Sequence, residues 1–285
     1  MQTTDMMNWT RIFWTVCLLS ICISPSLSNH SSATSVAAGK PGYMIIVGGG
    51  GTTPAIQGEV ARLLGKDFHV AIMPQASERE DRGKPSADMW TAAGAKHVFN
   101  LIDLRAPKTR EKLKQADLIW MPGGAQSKLV EAIEAADLAS FLRARHKAGT
   151  MIGGTSAGAA VFGELMIAGS PDPASLRCGA MKPLLGLGIW PEAVIDQHFI
   201  ARNRGNRLLT AVLDHPQKLG IGIDERTAVI QRGNELRVIG DGCVIVYDAR
   251  QAKVTPAKKG AQQSATGLEM QILADGATWS WRKTE

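Results

Sequence analysis

Short apolar runs rich in β-branched residues alternate with helical segments over the first half of the chain. The runs predict strands at 43–47, 70–74, 98–101 and 117–121, and the segments between them predict helices at about 54–64, 87–95, 109–116 and 130–148. Such alternation predicts an α/β fold with a mainly parallel sheet sandwiched by helices. Three later runs, at 228–232, 236–240 and 243–248, predict C-terminal antiparallel hairpins. Ligands of parallel sheets bind at the carboxyl ends of the strands, so we expect the functional residues there.

The next strand leads into a run of small residues, Gly153 to Ala160, with Ser156 near its centre. A serine with glycine two places before and after it fits a sharp turn from strand to helix, which exposes the hydroxyl at the end of a sheet. Small neighbours allow the close backbone packing that such a turn requires. The pattern predicts Ser156 as a nucleophile. The alternative is an ordinary Gly/Ser loop that caps a helix, because Gly-x-Ser-x-Gly also arises by chance.

A second glycine run, Gly48 to Gly51, follows the first predicted strand. It invites a dinucleotide-binding interpretation, but Thr53 occupies the place of the third glycine and no acidic residue follows a second strand at the expected distance. We therefore expect a loop that lies over the active site and no bound nucleotide.

The N-terminus has the pattern of a signal peptide. Arg11 precedes an apolar run, Ile12 to Ile23, that is too short to span a bilayer comfortably, and small residues at 26–28 place cleavage near Asn29. We expect a signal peptide at 1–28, a flexible lead-in at 29–40 and a single α/β domain at 41–285. The protein would then be secreted, to the periplasm or the extracellular space, with no membrane attachment after cleavage. An uncleaved anchor is the alternative.

Composition limits which classes of binding partner are expected. The 285 residues are enough for one large domain, and the net charge of +6 is spread along the chain without a basic run interleaved with aromatics. Nucleic acid is therefore not expected as a partner. Cleavage would leave Cys178 and Cys243, which form either one bridge or two buried thiols.

A serine hydroxyl needs a base to attack an amide, normally a histidine oriented by a carboxylate. His198 follows an apolar run and sits in the polar cluster Asp196-Gln197-His198, as a catalytic residue at a strand end would. His146 lies in a segment rich in lysine and arginine, and we expect it to be solvated. The sequence thus predicts His198 as the base.

Four separated motifs carry a resemblance that covers the chain from Gly48 to the terminal hairpins. They are Gly-Gly-Thr-Ser-Ala-Gly-Ala at 153–159, Asp-Gln-His-Phe at 196–199, the arginines 202, 204 and 207, and Gly-Ile-Asp-Glu at 222–225. Together they resemble the serine-peptidase family that contains cyanophycinase and aspartyl dipeptidase (peptidase E). The resemblance implies a fold similar to class I glutamine amidotransferases (flavodoxin-like), with serine in place of the cysteine nucleophile.

The resemblance also assigns roles. Ser156 would be the nucleophile, His198 the general base and Glu225 the carboxylate that orients it, with Asp172 as a rival for the last role. Backbone amides of Ala157 and Gly124 would form the oxyanion hole. Gln126 would face the substrate, whereas Ala125 departs from the acid expected in related sequences.

The arginines bear on specificity. Cyanophycin has a poly-aspartate backbone with arginine attached through each β-carboxyl, so each side chain exposes an α-carboxylate and a guanidinium. Arginine binds carboxylates with two hydrogen bonds. We expect six residues around the serine to bind the polymer or β-linked Asp-Arg peptides: Gln126, Asp196, Gln197, Arg202, Arg204 and Arg207. A solvated basic helix without a ligand is the alternative.

These observations predict an exported serine exopeptidase that releases β-Asp-Arg dipeptides through an acyl-enzyme on Ser156. No metal or organic cofactor is expected, because the histidines and cysteines lack the spacing of metal ligands. The resemblance implies a homodimer. One alternative is an aspartyl-dipeptidase-like enzyme that cuts short Asp-containing peptides. Others are a non-catalytic binding protein of the same fold and an esterase in which the acid precedes the histidine, as Asp172 would.

Overall fold

The computed structural model describes residues 40–167 and 176–281. These residues belong to one compact unit, Ala38–Glu285. The helices are α1 (Pro54–Leu64), α2 (Lys84–Ala92), α3 (Thr109–Gln115), α4 (Gln126–Ala135), α5 (Ala139–Lys147), α6 (Ala157–Ala160) and α7 (Gly205–Asp214). The strands are β1 (Met44–Val47), β2 (His69–Ile72), β3 (His97–Asn100), β4 (Leu118–Met121), β5 (Met151–Thr155), β6 (Leu165–Ile167), β7 (Pro183–Leu185), β8 (Ala193–Gln197), β9 (Leu219–Ile223), β10 (Thr227–Arg232), β11 (Glu235–Gly240), β12 (Val244–Asp248), β13 (Lys253–Thr255), β14 (Ser264–Thr266), β15 (Glu269–Leu273) and β16 (Thr278–Ser280).

The larger sheet has eight strands in the order β16-β11-β10-β1-β5-β4-β2-β3. Strands β1 to β5 are parallel, and β10, β11 and β16 extend the sheet in antiparallel fashion. Alternate residues of β1 belong to different core clusters: Ile45 packs in the cluster that includes Ile56 of α1, and Ile46 packs in the cluster that includes Leu129 of α4. Helices thus cover both faces, which confirms the predicted α/β sandwich with a mainly parallel sheet and C-terminal antiparallel strands.

A second sheet, in the order β15-β12-β9-β8, was not predicted as a separate unit. Its strands β8 and β9 are parallel, with Gln197 opposite Ile223. Because both strands end at the same edge, the residues that follow them, His198 and Glu225 among them, come close together. Helix α7 covers this sheet, since Gly220 has no side chain to hold it away from Leu208.

Two local expectations were wrong, and a third was confirmed only in part. The helix expected over 130–148 is two helices, α4 and α5, separated at Asp137, whose φ is 51°. His146, on α5, is buried and not solvated. Of the two alternatives for Cys178 and Cys243, the structure has the free thiols, but each is partly exposed and not buried.

Several expectations fall outside the described residues. They concern the signal peptide at 1–28, most of the lead-in at 29–40, and Asp172. Within 40–167 and 176–281, no helix combines the length and apolar character needed to cross a bilayer.

Candidate active site

Ser156 lies at the turn between β5 and α6, with φ 53° and ψ −115°. A non-glycine residue in this region is strained, and such strain is typical of functional turns. The turn is held on both sides: the Ser156 amide donates to Val47 O at 3.0 Å, and the Ser156 carbonyl accepts from Ala160 N at 3.0 Å. A methyl group at Gly158 would lie 1.8 Å from Met121 O, so only glycine permits this approach. The structure therefore has the strand-turn-helix geometry that the sequence predicted.

A continuous chain of hydrogen bonds links three side chains at this turn. Ser156 Oγ lies 2.9 Å from His198 Nε2, and His198 Nδ1 lies 2.6 Å from Glu225 Oε1. The imidazole side chain is 9% exposed and the carboxylate 38% exposed. A carboxylate that accepts from Nδ1 leaves Nε2 as the acceptor for the serine proton. The arrangement can thus activate the hydroxyl as a nucleophile.

The turn that carries His198 is also strained, with φ 50° at His198. Asp224 stabilises it from the end of β9, because its Oδ1 accepts from Ile200 N at 3.1 Å and from Ala201 N at 3.0 Å. Sequence reasoning assigned no role to Asp224, because the amides that it binds lie 24 and 23 residues away and no local pattern marks such a contact.

The first three glycines of the run, at 48–50, lie beside the same three residues, as expected for a loop at the active site. Gly48 O accepts from His198 N at 2.7 Å, and Gly49 O accepts from Arg226 N at 2.7 Å. The run therefore contacts both the histidine turn and the segment that follows Glu225.

The three arginines differ in their surroundings. Arg204 Nη1 donates to Gln197 O at 2.6 Å and also to the Gln197 side-chain oxygen. Burial, followed by the positive charge of Arg207, lowers the pKa of Arg204 to about 10. Arg202 is exposed, and its guanidinium forms no hydrogen bond or ion pair within the described part of the chain. Arg204 Nη1 also lies 3.5 Å from Asp196 Oδ1, a carboxylate that it shares with Arg207, so the charge of this desolvated cation is only partly balanced.

Arg207 and Asp196 bind each other. Arg207 Nε donates to Asp196 Oδ2 at 2.6 Å, and Nη2 donates to Oδ1. Arg207 lies within α7, whereas Arg204 is the residue that immediately precedes the helix. The structure therefore brings all three arginines to the strand ends near His198 but engages Arg207 in a buried ion pair.

The residues expected to form the oxyanion hole and the substrate wall belong to the loop after β4 and to the first positions of α4 and α6. A Cβ atom at Gly123 would lie 3.6 Å from Ser156 Oγ, so this loop closely approaches the hydroxyl. Gly124 is exposed and Ala157 is buried as the first residue of α6. Gln126 Nε2 donates to Ile167 O at 2.6 Å. Gly123 and Ala157 therefore adjoin Ser156, whereas the side chain of Gln126 is engaged by the Ile167 carbonyl.

Within 40–167 and 176–281, no group of three or more histidine, cysteine, aspartate or glutamate side chains is arranged to hold a metal ion.

A serine that is hydrogen-bonded to a histidine, which in turn binds a carboxylate, is the arrangement of serine hydrolases, here on an α/β fold. The model of peptidase family S51 matches residues 44–239. The chain belongs to this family and is a serine-type peptidase.

Similar proteins include a cyanophycinase of Geminocystis herdmanii, 38% identical over 77% of this chain and 85% of the relative. A cyanophycinase of Synechococcus elongatus is 35% identical over 76% of this chain and 71% of the relative. A peptidase E of Pasteurella multocida is 26% identical over 72% of this chain and 88% of the relative.

A solved structure of a peptidase from an acI-B1 Actinobacterium has a similar fold. It superposes with a TM-score of 0.61 at 23% identity and covers 86% of this chain and 98% of that structure. A putative peptidase E of Listeria monocytogenes gives a TM-score of 0.51 at 13% identity, over 71% of this chain and all of that structure.

Proposed function

We propose that this protein is an exopeptidase that hydrolyses cyanophycin to β-Asp-Arg dipeptides. Relatives named cyanophycinase, at 35–38% identity over about three quarters of the chain, support this substrate. The observation that carries the proposal is the position of Arg204, which is held by Gln197 next to the Ser156–His198–Glu225 chain. A cation at this point can bind a carboxylate of the residue whose amide is cut.

The reaction would proceed through an acyl-enzyme. Ser156 Oγ attacks the carbonyl carbon of the backbone amide while its proton passes to His198 Nε2, and Glu225 stabilises the imidazolium. The C–N bond then breaks and the leaving amine takes that proton. Water attacks the remaining ester, gives a proton to His198, and releases the new carboxylate as Ser156 regains its hydrogen. Amides of Ala157 and the Gly123-Gly124 loop would stabilise the oxyanion, each by a few kcal/mol.

The charges of the site favour an acidic substrate. Arg202 and Arg204 lie in the segment that follows His198, and Asp196, which both Arg204 and Arg207 contact, is 1% exposed. Because Arg204 is desolvated and shares Asp196 with Arg207, it gains further compensating charge when a carboxylate binds. Hydrogen bonds between charged groups are the stronger ones. Each aspartyl unit of cyanophycin offers such a carboxylate.

Incubation of the purified protein with insoluble cyanophycin tests the proposal, with the soluble products identified by mass. We expect a product with the mass of Asp-Arg from the native protein and none from Ser156→Ala, which should fold normally. Dipeptide release by Ser156→Ala at the native rate would remove Ser156 from the mechanism. Failure of the native protein to cut cyanophycin would reject the substrate.

The second candidate is cleavage of short Asp-containing peptides, which the similarity to peptidase E favours. The same mass assay with Asp-X dipeptides distinguishes the two candidates. Hydrolysis of these dipeptides with cyanophycin left intact would select the second.

We also propose export through the signal peptide at 1–28, and a homodimer. N-terminal sequencing of the protein recovered outside the cell tests the first, with Asn29 expected as the first residue. Sedimentation equilibrium tests the second, because a monomer mass at micromolar concentration would reject the dimer.

A further inference from the structure

Three consecutive backbone carbonyls at the end of β1 accept hydrogen bonds from the three segments that carry Ser156, His198 and Glu225. Val47 O accepts from Ser156 N at 3.0 Å, Gly48 O from His198 N at 2.7 Å, and Gly49 O from Arg226 N at 2.7 Å. The three segments come from two different sheets. Residues 47–49 therefore fix all three against one short piece of backbone.

The glycines of this segment are packed too closely for any side chain. A Cβ atom at Gly49 would lie 2.3 Å from His198 Cε1 and 2.4 Å from Nε2. At Gly50 it would lie 2.6 Å from Glu225 Cβ. The backbone of 49–50 thus rests directly on the imidazole and on the carboxylate side chain that binds it.

We propose that residues 47–50 are a positioning element that sets the imidazole of His198 in line between Ser156 and Glu225. Backbone carbonyls set the register of the three segments, and bare glycine backbone at 49 and 50 limits how far the imidazole and carboxylate can tilt. The role differs from nucleotide binding, for which glycine-rich loops after a first strand are better known. The inference rests on the proposed roles of Ser156, His198 and Glu225.

Gly51 provides a matched control. It also has positive φ, 112°, but a Cβ atom there would have no atom of the described chain within 4 Å apart from its chain neighbours. Gly49→Ala, where φ is 99°, adds the same methyl group under similar backbone strain but displaces the imidazole. The difference between the two variants isolates the contact with His198.

The first experiment measures inactivation by a fluorophosphonate, with the labelled residue identified by mass spectrometry. A misplacement near 1 Å costs roughly 100-fold in rate, so we expect Gly49→Ala to react about 100-fold more slowly than the native protein. Gly51→Ala should react within about twofold of it. The NMR signal of the imidazole proton shared with Glu225 should vanish in Gly49→Ala and persist in Gly51→Ala. Equal inactivation rates for the two variants would overturn the inference, whereas an unlabelled Ser156 in the native protein would overturn the proposed function.

The second experiment needs no activity, and it covers the case in which Gly49→Ala folds poorly. Thermal midpoints are measured for His198→Ala and for Gly49→Ala and Gly51→Ala, each alone and combined with His198→Ala, in two double-mutant cycles. Removal of the imidazole gives the methyl group room, so the loss of midpoint caused by Gly49→Ala should shrink in the His198→Ala background. The loss caused by Gly51→Ala should be the same in both backgrounds. An equal loss for Gly49→Ala in both backgrounds would reject the contact on which the inference depends.

Discussion

The guanidinium of Arg207 binds both carboxylate oxygens of Asp196, through Nε to Oδ2 at 2.6 Å and through Nη2 to Oδ1. Their side chains are only 8% and 1% exposed. Asp196 lies in β8 two residues before His198, and Arg207 lies in α7, so the pair joins the histidine strand to the helix that follows it. Each was expected to contact substrate, but their mutual engagement favours a structural role for the pair.

Asp196→Asn should therefore destabilise the protein more than it alters substrate recognition. It leaves the buried Arg207 charge without its carboxylate, and breaking a buried pair costs about 3–5 kcal/mol of unfolding free energy. Urea denaturation measures the loss. As a control, Asp81→Asn breaks the exposed pair with Arg79 and should leave the urea midpoint unchanged. Equal urea midpoints for the two variants would show that the buried Asp196–Arg207 pair does not stabilise the fold.

Glu225→Gln should lower kcat by roughly 10⁴-fold, because an amide cannot hold the imidazole in the tautomer that accepts from serine. The 2.6 Å contact with His198 Nδ1 is the basis for this expectation. Asp172→Asn should leave turnover close to the native value. The measurement is release of dipeptide under saturating substrate. An inactive Asp172 variant beside an active Glu225 variant would reverse the assignment.

Asp224→Ala should lower kcat through the histidine turn. Its carboxylate accepts from two backbone amides of that turn, those of Ile200 and Ala201. Asp224→Asn keeps one acceptor oxygen and should retain most of the activity. If the negative charge of Asp224 mattered instead, the asparagine variant would lose as much activity as the alanine variant. We expect about a tenfold loss in kcat for the alanine variant, with KM nearly unchanged, from loss of a capping contact worth about 1 kcal/mol or more. Equal activity of the alanine and asparagine variants would contradict the capping role.

Helix α1 shows what the sequence determines locally. The structure has it at Pro54–Leu64, within the predicted bounds, because Thr53 caps it and proline fits its first turn. The prediction of one continuous helix over 130–148 was wrong for an equally local reason. Apolar residues continue at helical spacing across Asp137, and no proline or glycine marks the break.

The site was predictable in its residues but not in its contacts. Ser156 and His198 were found because each follows an apolar run and lies in a polar or glycine-rich turn. The Arg207–Asp196 pair and the contact of Gly49 with the imidazole depend on how a second sheet packs beside the first. Hydrophobic periodicity identifies strands but does not say which strands share a sheet.

Arg204→Ala should weaken cleavage of cyanophycin far more than hydrolysis of a small neutral activated ester. Removal of a charged hydrogen bond to a substrate carboxylate costs about 1.5–3 kcal/mol, so kcat/KM for the polymer should fall about 10- to 100-fold. The ester lacks the carboxylate and acts as the control substrate on the same variant. Equal losses on both substrates would show that Arg204 supports Gln197 and the fold and does not bind substrate.

His146 should make the protein less stable in mild acid. Burial lowers the pKa of His146 below its usual value of 6.5, and Nδ1 has no hydrogen-bond partner within 40–167 and 176–281. The unfolded chain therefore binds a proton more readily than the folded chain, so the stability present above about pH 6.5 declines as the pH falls from there towards the folded pKa. Urea midpoints at pH 7.5 and 5.5 measure the decline. His146→Gln should remove part of this decline, whereas His97→Gln, at an exposed position, should retain all of it. If the native protein and both variants showed the same pH dependence, burial of the His146 imidazole would not control acid stability.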